Sequence, residues 1–261
     1  MSESPAQHPS PDPWQVQEAR LTDADGALLF DRLRIAQADR ALLDPAHWAE
    51  RGRIEAARGG RGAVYFVRAE FGEGVIRHYR RGGVVGRFNR DLYLWTGEDR
   101  TRAFREFRLL ARLLALGLPV PAPIAAGYRR HGLFYRADLM TLAIAETHTL
   151  AQELKRDGGR RLDWMALGAL LQRFHAAGAF HADLNAHNLL IDGGGALSLI
   201  DFDRGDLRAA APGWQSATLH RLLRSLRKLG LQGAALSASW QQLNVGYLDA
   251  GGDAQAVPTL T

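Results

Sequence analysis

The chain has 261 residues, of which 46% are hydrophobic and 23% are charged, proportions that are ordinary for a soluble globular protein. No apolar run approaches the roughly 18 residues of a membrane-spanning helix, and the absence of cysteine excludes disulfides and thiolate chemistry. The formal net charge of +5 suits an anionic partner: a phosphorylated ligand, an anionic membrane or a nucleic acid.

The N-terminal third is predicted to hold a tail followed by strands. Residues 1–20 are expected to be flexible, because the first 15 are rich in proline, serine and polar residues and lack the features of a secretory signal. The runs AVYFV at 63–67 and GVIRHYR at 74–80 are predicted strands. Glycines at their junction are typical of a hairpin, so the two strands are expected to pair antiparallel.

Helices are predicted to dominate later in the chain. The stretch TRAFREFRLLARLLALG, residues 101–117, favours a helix that begins near Thr101 and stops at Gly117 before two prolines. The remaining predicted elements are a hairpin at 127–140, a helix at 162–178, a strand in ALSLIDF at 196–202 and a basic helix at 216–230. This order predicts an α+β protein with an N-lobe at 21–140 and a C-lobe at 141–261. The order of residues 231–261 is left open.

Carboxylates stand beside short apolar runs in HADLNAHNLLIDGGGALSLIDFDRG, residues 181–205. Asn188 follows Asp183 by five positions and Asp201 follows Asn188 by 13, the order that protein kinases use for phosphoryl transfer. Asp183 is predicted to orient the acceptor hydroxyl and take its proton. Asn188 and Asp201 offer the hard oxygen ligands that Mg²⁺ prefers when it carries ATP. The alternative is that these residues only cap helices and make turns, but the ordered set favours the kinase interpretation.

Several segments together resemble the 3-deoxy-D-manno-octulosonic acid (Kdo) kinases, a family of lipopolysaccharide core kinases. The resemblance covers roughly residues 25–230 and rests on HADLNAHNLLID, LIDFDRG, RHYRRGG, EFRLL and GLPVPAP. It implies a bilobal protein-kinase-like fold with an antiparallel-sheet N-lobe and a mainly helical C-lobe. It also implies an ATP- and Mg²⁺-dependent enzyme that phosphorylates the 4-hydroxyl of Kdo on a lipid A precursor, Kdo-lipid IVA. Such an enzyme works as a peripheral protein at the cytoplasmic face of the bacterial inner membrane.

Two positions depart from the protein-kinase pattern. Asp203 stands where protein kinases carry the glycine of Asp-Phe-Gly, as the resembled family also has it. Asn185 stands where kinases acting on serine and threonine carry a lysine. The second change is consistent with a sugar acceptor rather than a peptide hydroxyl.

The nucleotide side of the site is less clearly marked. Gly60 and Gly62 precede a predicted strand, so their backbone amides are candidates for phosphate contact, with an ordinary turn as the alternative. The first 154 residues contain no lysine, so Arg77 is the best substitute for the usual strand lysine. Glu106 is its expected partner, because it shares a helical face with leucines; the alternative is a solvent-facing pair with Arg102.

Clustered cations mark candidate contacts with the acceptor or the membrane. They are Arg80 at the end of the second predicted strand, Arg81 directly after it, and Arg221, Arg224, Arg227 and Lys228 on the basic helix. A basic amphipathic helix commonly lies on an anionic membrane. The alternative is a helix that packs on the C-lobe through its leucines and leaves its cations in water.

Three other functions compete with a Kdo-lipid kinase. One is a small-molecule kinase of the aminoglycoside-phosphotransferase type, although an acidic groove for a polycation is not evident in this arginine-rich chain. Another is a kinase-like binding protein without activity, suggested by the missing lysine. Nucleic-acid binding has no recognition motif to support it. The sequence leaves the oligomeric state open.

Overall fold

The computed structural model describes residues 14–56, 64–80 and 91–260. The strands are β1 Glu18–Asp23, β2 Gly26–Asp31, β3 Ile54–Ala56, β4 Val64–Ala69, β5 Gly72–His78, β6 Tyr93–Leu94, β7 Pro123–His131, β8 Phe134–Leu142, β9 His148–Thr149, β10 Ala179–Phe180, β11 Leu189–Ile191, β12 Leu197–Leu199 and β13 Asp206–Leu207. The helices are α1 Pro45–Glu50, α2 Arg102–Ala115, α3 Leu150–Asp157, α4 Trp164–Ala176, α5 Pro212–Lys228 and α6 Gly233–Asp249.

One large antiparallel sheet is built from the first eight strands. Within the described residues its order is β1-β2-β7-β8-β5-β4-β3, and β6 pairs with the start of β8. The runs at 63–67 and 74–80 form β4 and β5, which pair antiparallel as predicted and turn at Gly72 with a φ of 107°. The hairpin predicted at 127–140 is β7–β8, extended at both ends.

Strand β1 begins inside the segment that was expected to be a tail. Glu18 lies opposite Asp31 on β2, and the backbone amide of Gln17 donates to the Asp31 carboxylate at 2.9 Å. Arg108 of α2 also donates to Glu18 at 3.0 Å. These long-range contacts order residues 18–20, which local composition could not indicate.

Helix α2 packs on one face of this sheet, called here the inner face. It buries Phe104, Phe107, Leu110 and Leu113. Thr101 stands at the N-cap position, but its hydroxyl donates to the Glu98 carbonyl. The hydroxyl of Tyr135 on β8 instead accepts from the Arg102 amide at 3.1 Å, so the sheet itself caps the helix. The helix ends before Gly117, which has a φ of 69°.

A second core lies on the opposite, outer face of the sheet. A 3₁₀ turn, Arg40–Leu43, and helix α1 cover it with Leu43 and Trp48, which pack against Leu28, Ile76 and Met140. This cover is confined to part of the face.

Helices dominate the second half of the described chain. The helix predicted at 162–178 is α4, and its stripe of Trp164, Leu167, Leu171 and Phe174 is buried as expected. Residues 231–261, left open by the sequence, supply α6, which packs closely on α4. A Cβ on Gly168 would lie 2.0 Å from the Leu243 carbonyl oxygen, so this contact requires glycine. None of the described helices has the length and apolarity to cross a membrane.

The basic helix is α5, which starts at Pro212 rather than at 216, because proline is well suited to the first helical turn. Leu219, Leu222, Leu223 and Leu226 are all buried against the protein. The leucine face therefore packs on the C-lobe, which is the alternative that the sequence left open for this helix. These leucines are not available to insert into a membrane.

Candidate active site

The loop between β10 and β11 carries Asp183 and is held by a buried histidine. His181 donates from Nε2 to the carbonyl of Ile200 at 3.0 Å and accepts from the Asp183 amide at its other ring nitrogen at 3.1 Å. Burial lowers the pKa of His181, so the ring is neutral and able to accept that bond. His181 thus joins the Asp183 loop to the segment that leads into Asp201.

Asn188 is oriented by a bond across the same loop. Its Nδ2 donates to the backbone carbonyl of Asp183 at 3.0 Å, and its side chain is buried. Because a carbonyl can only accept, the bond fixes which end of the amide is nitrogen. Oδ1 of Asn188 then has no hydrogen-bond partner among the described residues and is left as a free acceptor.

Asp201 follows β12 in an uncommon backbone conformation. Its φ is 64°, in the left-handed region that non-glycine residues seldom occupy, and such strain is concentrated at functional sites. One carboxylate oxygen of Asp201 bonds Arg77, and the other has no hydrogen bond within the described part of the chain. The second carboxylate oxygen of Asp201 is thus left as a free acceptor, on the segment that His181 joins to the Asp183 loop.

Arg77 joins the sheet, helix α2 and the Asp201 loop. Its Nη2 donates to Glu106 at 2.5 Å, while Nη1 bonds Asp201. The hydroxyl of Tyr79 donates to the same Glu106 carboxylate at 2.6 Å, and the Tyr79 ring lies 5.0 Å from the Arg77 guanidinium carbon. The structure thus brings together the three predicted residues Arg77, Glu106 and Asp201.

Burial and charge act against each other in this cluster. Glu106 is 3% exposed, and burial raises its pKa although Arg77 acts in the opposite direction. Burial alone would lower the pKa of Arg77, but Glu106, Tyr79 and Asp201 raise it well above its usual value. Arg77 is therefore permanently charged, and its fork holds two carboxylates that would otherwise repel each other.

Arg102 does not pair with Glu106, which the sequence had left as an alternative. It donates from Nε to Asp203 at 2.7 Å, and its guanidinium carbon lies 4.7 Å from the centre of the Tyr93 ring. Glu106 faces the sheet, whereas Arg102 at the start of the helix reaches the loop after Asp201. Asp203 and α2 are consequently joined by a second ion pair.

Arg221, which was grouped with the cations expected to contact the acceptor or the membrane, lies next to Asp183. Its Nη1 is 3.4 Å from Oδ1 of Asp183. Asn185, which replaces the kinase lysine, is used within its own turn: its side chain donates to the Asp183 carbonyl and accepts from the His187 amide. The cation next to Asp183 therefore comes from α5 and not from the loop.

The other predicted site residues that the structure describes lie apart from this cluster. Arg80 lies beyond the end of β5 and is exposed, and Arg224 and Lys228 are exposed on α5. Arg227 is half-buried on the same helix. Gly60, Gly62 and Arg81 lie outside the described residues.

Sequence reasoning missed two residues that shape this site. Tyr79 directly follows β5 and lies two positions after Arg77 within the strand predicted at 74–80, so period-two alternation was a signal that both share a face. Arg102 was considered only as a partner of Glu106, and no local pattern indicated its bond to Asp203, 101 positions away.

The donor set fits a magnesium nucleotide. Mg²⁺ in such enzymes is held by one or two protein oxygens, with phosphates and water filling the other positions. Oδ1 of Asn188 and the second oxygen of Asp201 are hard donors of this kind. The described residues contain no cluster of three or more histidine, aspartate, glutamate or cysteine side chains suited to an all-protein metal site.

Residues 45–247 match the lipopolysaccharide kinase (Kdo/WaaP) family. The chain belongs to this family. A protein of Xanthomonas axonopodis pv. citri named 3-deoxy-D-manno-octulosonic acid kinase is 52% identical over 204 residues, which are 78% of this chain and 81% of that protein. A protein of Xanthomonas oryzae pv. oryzae with the same name is 47% identical over 224 residues, 85% of this chain and 89% of that one. A Stenotrophomonas maltophilia protein of that name is 50% identical over 204 residues, 78% of this chain and 81% of its own length.

The fold of this chain is similar to that of a solved structure, WaaP in complex with acyl carrier protein, with a TM-score of 0.53. It covers 84% of this chain and 85% of its own, at 19% identity, so it informs on the fold alone. The α+β, bilobal, protein-kinase-like fold expected from the sequence is thereby confirmed. As a member of this family, the protein is a phosphotransferase of lipopolysaccharide biosynthesis.

Proposed function

We propose that this kinase transfers the γ-phosphoryl group of ATP to the 4-hydroxyl of Kdo on the lipid A precursor Kdo-lipid IVA. The proposed location is the cytoplasmic face of the inner membrane, to which the protein is peripherally bound. The observation that carries the proposal is the junction at Arg77, which links Glu106 to Asp201 beside the loop of Asp183. This arrangement occurs in a chain that is about half identical to proteins named Kdo kinases.

The residues divide the work of phosphoryl transfer. Asn188 and Asp201 would hold Mg²⁺, which neutralises charge on the transferring phosphoryl group when it is bound. Arg77, positioned by Glu106, is suited to contact the nucleotide phosphates. The two glycines at 60 and 62 are proposed to approach the phosphates through their backbone amides.

Asp183 is proposed to act on the acceptor. Its carboxylate accepts the proton of the sugar hydroxyl as the oxygen bonds to phosphorus and the bond to the departing ADP breaks. The proton therefore remains on Asp183 until it is lost to solvent. Arg221 lies on the same side of the loop and is suited to an anionic group of the acceptor, such as the Kdo carboxylate.

The surroundings of Asp183 argue against an aminoglycoside as acceptor. A polycationic substrate requires carboxylates near the attacking hydroxyl, whereas Arg221 places a cation there. A binding protein without activity is disfavoured because Asp183, Asn188 and Asp201 are all present and oriented.

The decisive experiment incubates the purified protein with ATP, Mg²⁺ and Kdo-lipid IVA and analyses the lipid by mass spectrometry. We expect one added phosphate, located on Kdo, and far less of this product in the same time with Asp183→Asn. Kanamycin in place of the lipid provides the comparison. Phosphorylation of kanamycin without any phosphorylated lipid would overturn the proposed acceptor.

A further inference from the structure

The tip of the β7–β8 hairpin exposes apolar side chains that no other part of the described chain covers. Leu133 in the turn is 72% exposed and Leu94 on β6 is 56% exposed, the two highest values among the large apolar residues described. Phe134 lies directly opposite Leu94 and is 38% exposed. The three residues are neighbours, since the Trp95 amide also bonds the Leu133 carbonyl at 2.9 Å.

Cations share the face of the sheet on which these residues stand. Residues opposite each other in an antiparallel pair point to the same face, as do residues two apart on one strand. His131 is opposite Phe134, Arg136 is two positions after Phe134, and Arg129 is opposite Arg136. The outer face at the tip therefore presents Leu94, Phe134, His131, Arg129 and Arg136 together. The cover provided by α1 and the 3₁₀ turn lies over Leu28, Ile76 and Met140 instead.

The carboxylates near this tip offset only part of its positive charge. Asp91 pairs with Arg136 at 2.8 Å. Asp25 is exposed and adds one negative charge, and its backbone carbonyl accepts from the Arg130 amide at 2.7 Å. Arg130 itself lies over the Trp95 ring at 5.0 Å, and Arg129 has no ion pair with any described residue. Two of the three arginines at the tip therefore keep their charge for an external anion.

We infer that this tip docks on an anionic phospholipid bilayer. The surface is the end of the hairpin and is called the hairpin patch. It consists of Leu94, Leu133 and Phe134 with Arg129 and Arg136 of the outer face, and Arg130, which reaches the Gly132 carbonyl of the turn from the inner face. Three apolar side chains are too few for a stable protein interface, which buries more than about 1,000 Å². They suffice to enter the interface of a bilayer, where nearby arginines add electrostatic attraction to anionic lipid.

The hairpin patch is joined to the catalytic machinery through strand β8, although the two stand on opposite faces of the sheet. Tyr135 stands between Phe134 and Arg136, and its hydroxyl accepts from the Arg102 amide. The Arg102 side chain bonds Asp203, two positions after Asp201. Docking through the patch would thus fix the orientation of β8, and of the helix α2 that it caps, relative to the membrane. The basic helix lacks such an anchor, because its leucines are buried.

Vesicle binding by the full-length protein tests the inference without nucleotide or acceptor, so its outcome is independent of the proposed reaction. Sedimentation with vesicles of phosphatidylcholine mixed with phosphatidylglycerol is compared with phosphatidylcholine alone. We expect binding to the anionic vesicles that Leu133→Ser with Phe134→Ser weakens roughly tenfold. The control is Leu116→Ser with Phe66→Ser, a leucine and a phenylalanine exposed elsewhere, which should bind like the parent.

A second measurement separates docking from folding and from self-association. With the acceptor dispersed in detergent, the Leu133→Ser and Phe134→Ser variant should keep the parent's kcat, and with acceptor in vesicles it should lose activity. Equal vesicle binding by this variant and the parent, or equal binding to neutral vesicles, would overturn the inference. Light scattering tests self-association. If the parent is a dimer and the same substitutions dissociate it, the patch binds a second copy of the chain instead.

Discussion

Arg77 on the sheet and Glu106 on helix α2 form a buried ion pair, with Nη2 2.5 Å from the carboxylate oxygen. The same guanidinium bonds Asp201, so one side chain sets the distance between the helix and the proposed metal ligand. In protein kinases a strand lysine forms the corresponding pair. The longer, forked arginine allows two carboxylates to be held at once.

Arg77→Ala should damage both nucleotide use and folding stability. Removing one partner leaves Glu106 buried without its cation, a loss of about 3 kcal/mol in the free energy of unfolding. The KM for ATP should rise together with this loss, as measured by steady-state kinetics and urea unfolding. Arg80→Ala, at an exposed position just beyond the end of β5, should change neither quantity. An Arg77→Ala enzyme with the parent's ATP kinetics would remove Arg77 from the nucleotide site.

Asp183→Asn should remove the base while preserving the shape of the loop. We expect kcat to fall about 10³-fold, a typical contribution of general-base catalysis, while the affinity for nucleotide stays that of the parent. Single-turnover kinetics and nucleotide titration measure the two effects separately. Asp192→Asn, in the turn between β11 and β12, is the matched control. Substantial turnover by Asp183→Asn would assign the base to another residue.

Arg221→Ala should raise the KM for the acceptor roughly tenfold, since a charge-assisted hydrogen bond is lost. Arg224→Ala, one turn along α5 and exposed, should leave that KM unchanged. With an acceptor whose Kdo carboxylate is converted to the amide, the parent and Arg221→Ala should have the same KM for the acceptor. If Arg221→Ala changes the kinetics equally with the amide acceptor and the carboxylate acceptor, Arg221 acts on Asp183 and not on the acceptor.

Acid should destabilise the protein through buried His175. Its nitrogens bond the Tyr247 and Thr218 hydroxyls, each at 2.9 Å, and burial lowers its pKa to about 4. The unfolded chain regains a value near 6.5 and so binds more protons between these two pH values. The free energy of unfolding should therefore fall as the pH is lowered from about 6.5 towards about 4, by at most about 3 kcal/mol from this residue.

Urea unfolding at a series of pH values tests the contribution of His175. His175→Gln should flatten the decline between about 6.5 and about 4, although not remove it, because burial also lowers the pKa of His181. His220→Gln, on the exposed face of α5, should leave the decline as it is in the parent. An unchanged slope in His175→Gln would show that other groups cause the acid sensitivity.

Much of the fold was predictable because its signals are local. Alternating residues and glycine turns identified β4, β5 and the β7–β8 hairpin, and the leucine-rich period identified α2 and α4. The predicted ends of helices and strands were less accurate where contacts with residues distant in the sequence fix them. Tyr135, not Thr101, caps α2, and β1 starts at Glu18 because a neighbouring strand and helix hold it.

The amino-acid sequence by itself determined the family and the α+β class. It also predicted the Asp183, Asn188 and Asp201 set, since these three fall within 19 consecutive residues. Only the tertiary structure decided the partners from elsewhere in the chain: Arg102 for Asp203, Arg221 for Asp183 and Tyr79 for Glu106. Periodicity tells which face of an element a side chain occupies, but not which distant element packs against that face. That choice depends on the global burial of apolar surface, which also turned the leucines of α5 inward and left those of the hairpin patch in solvent.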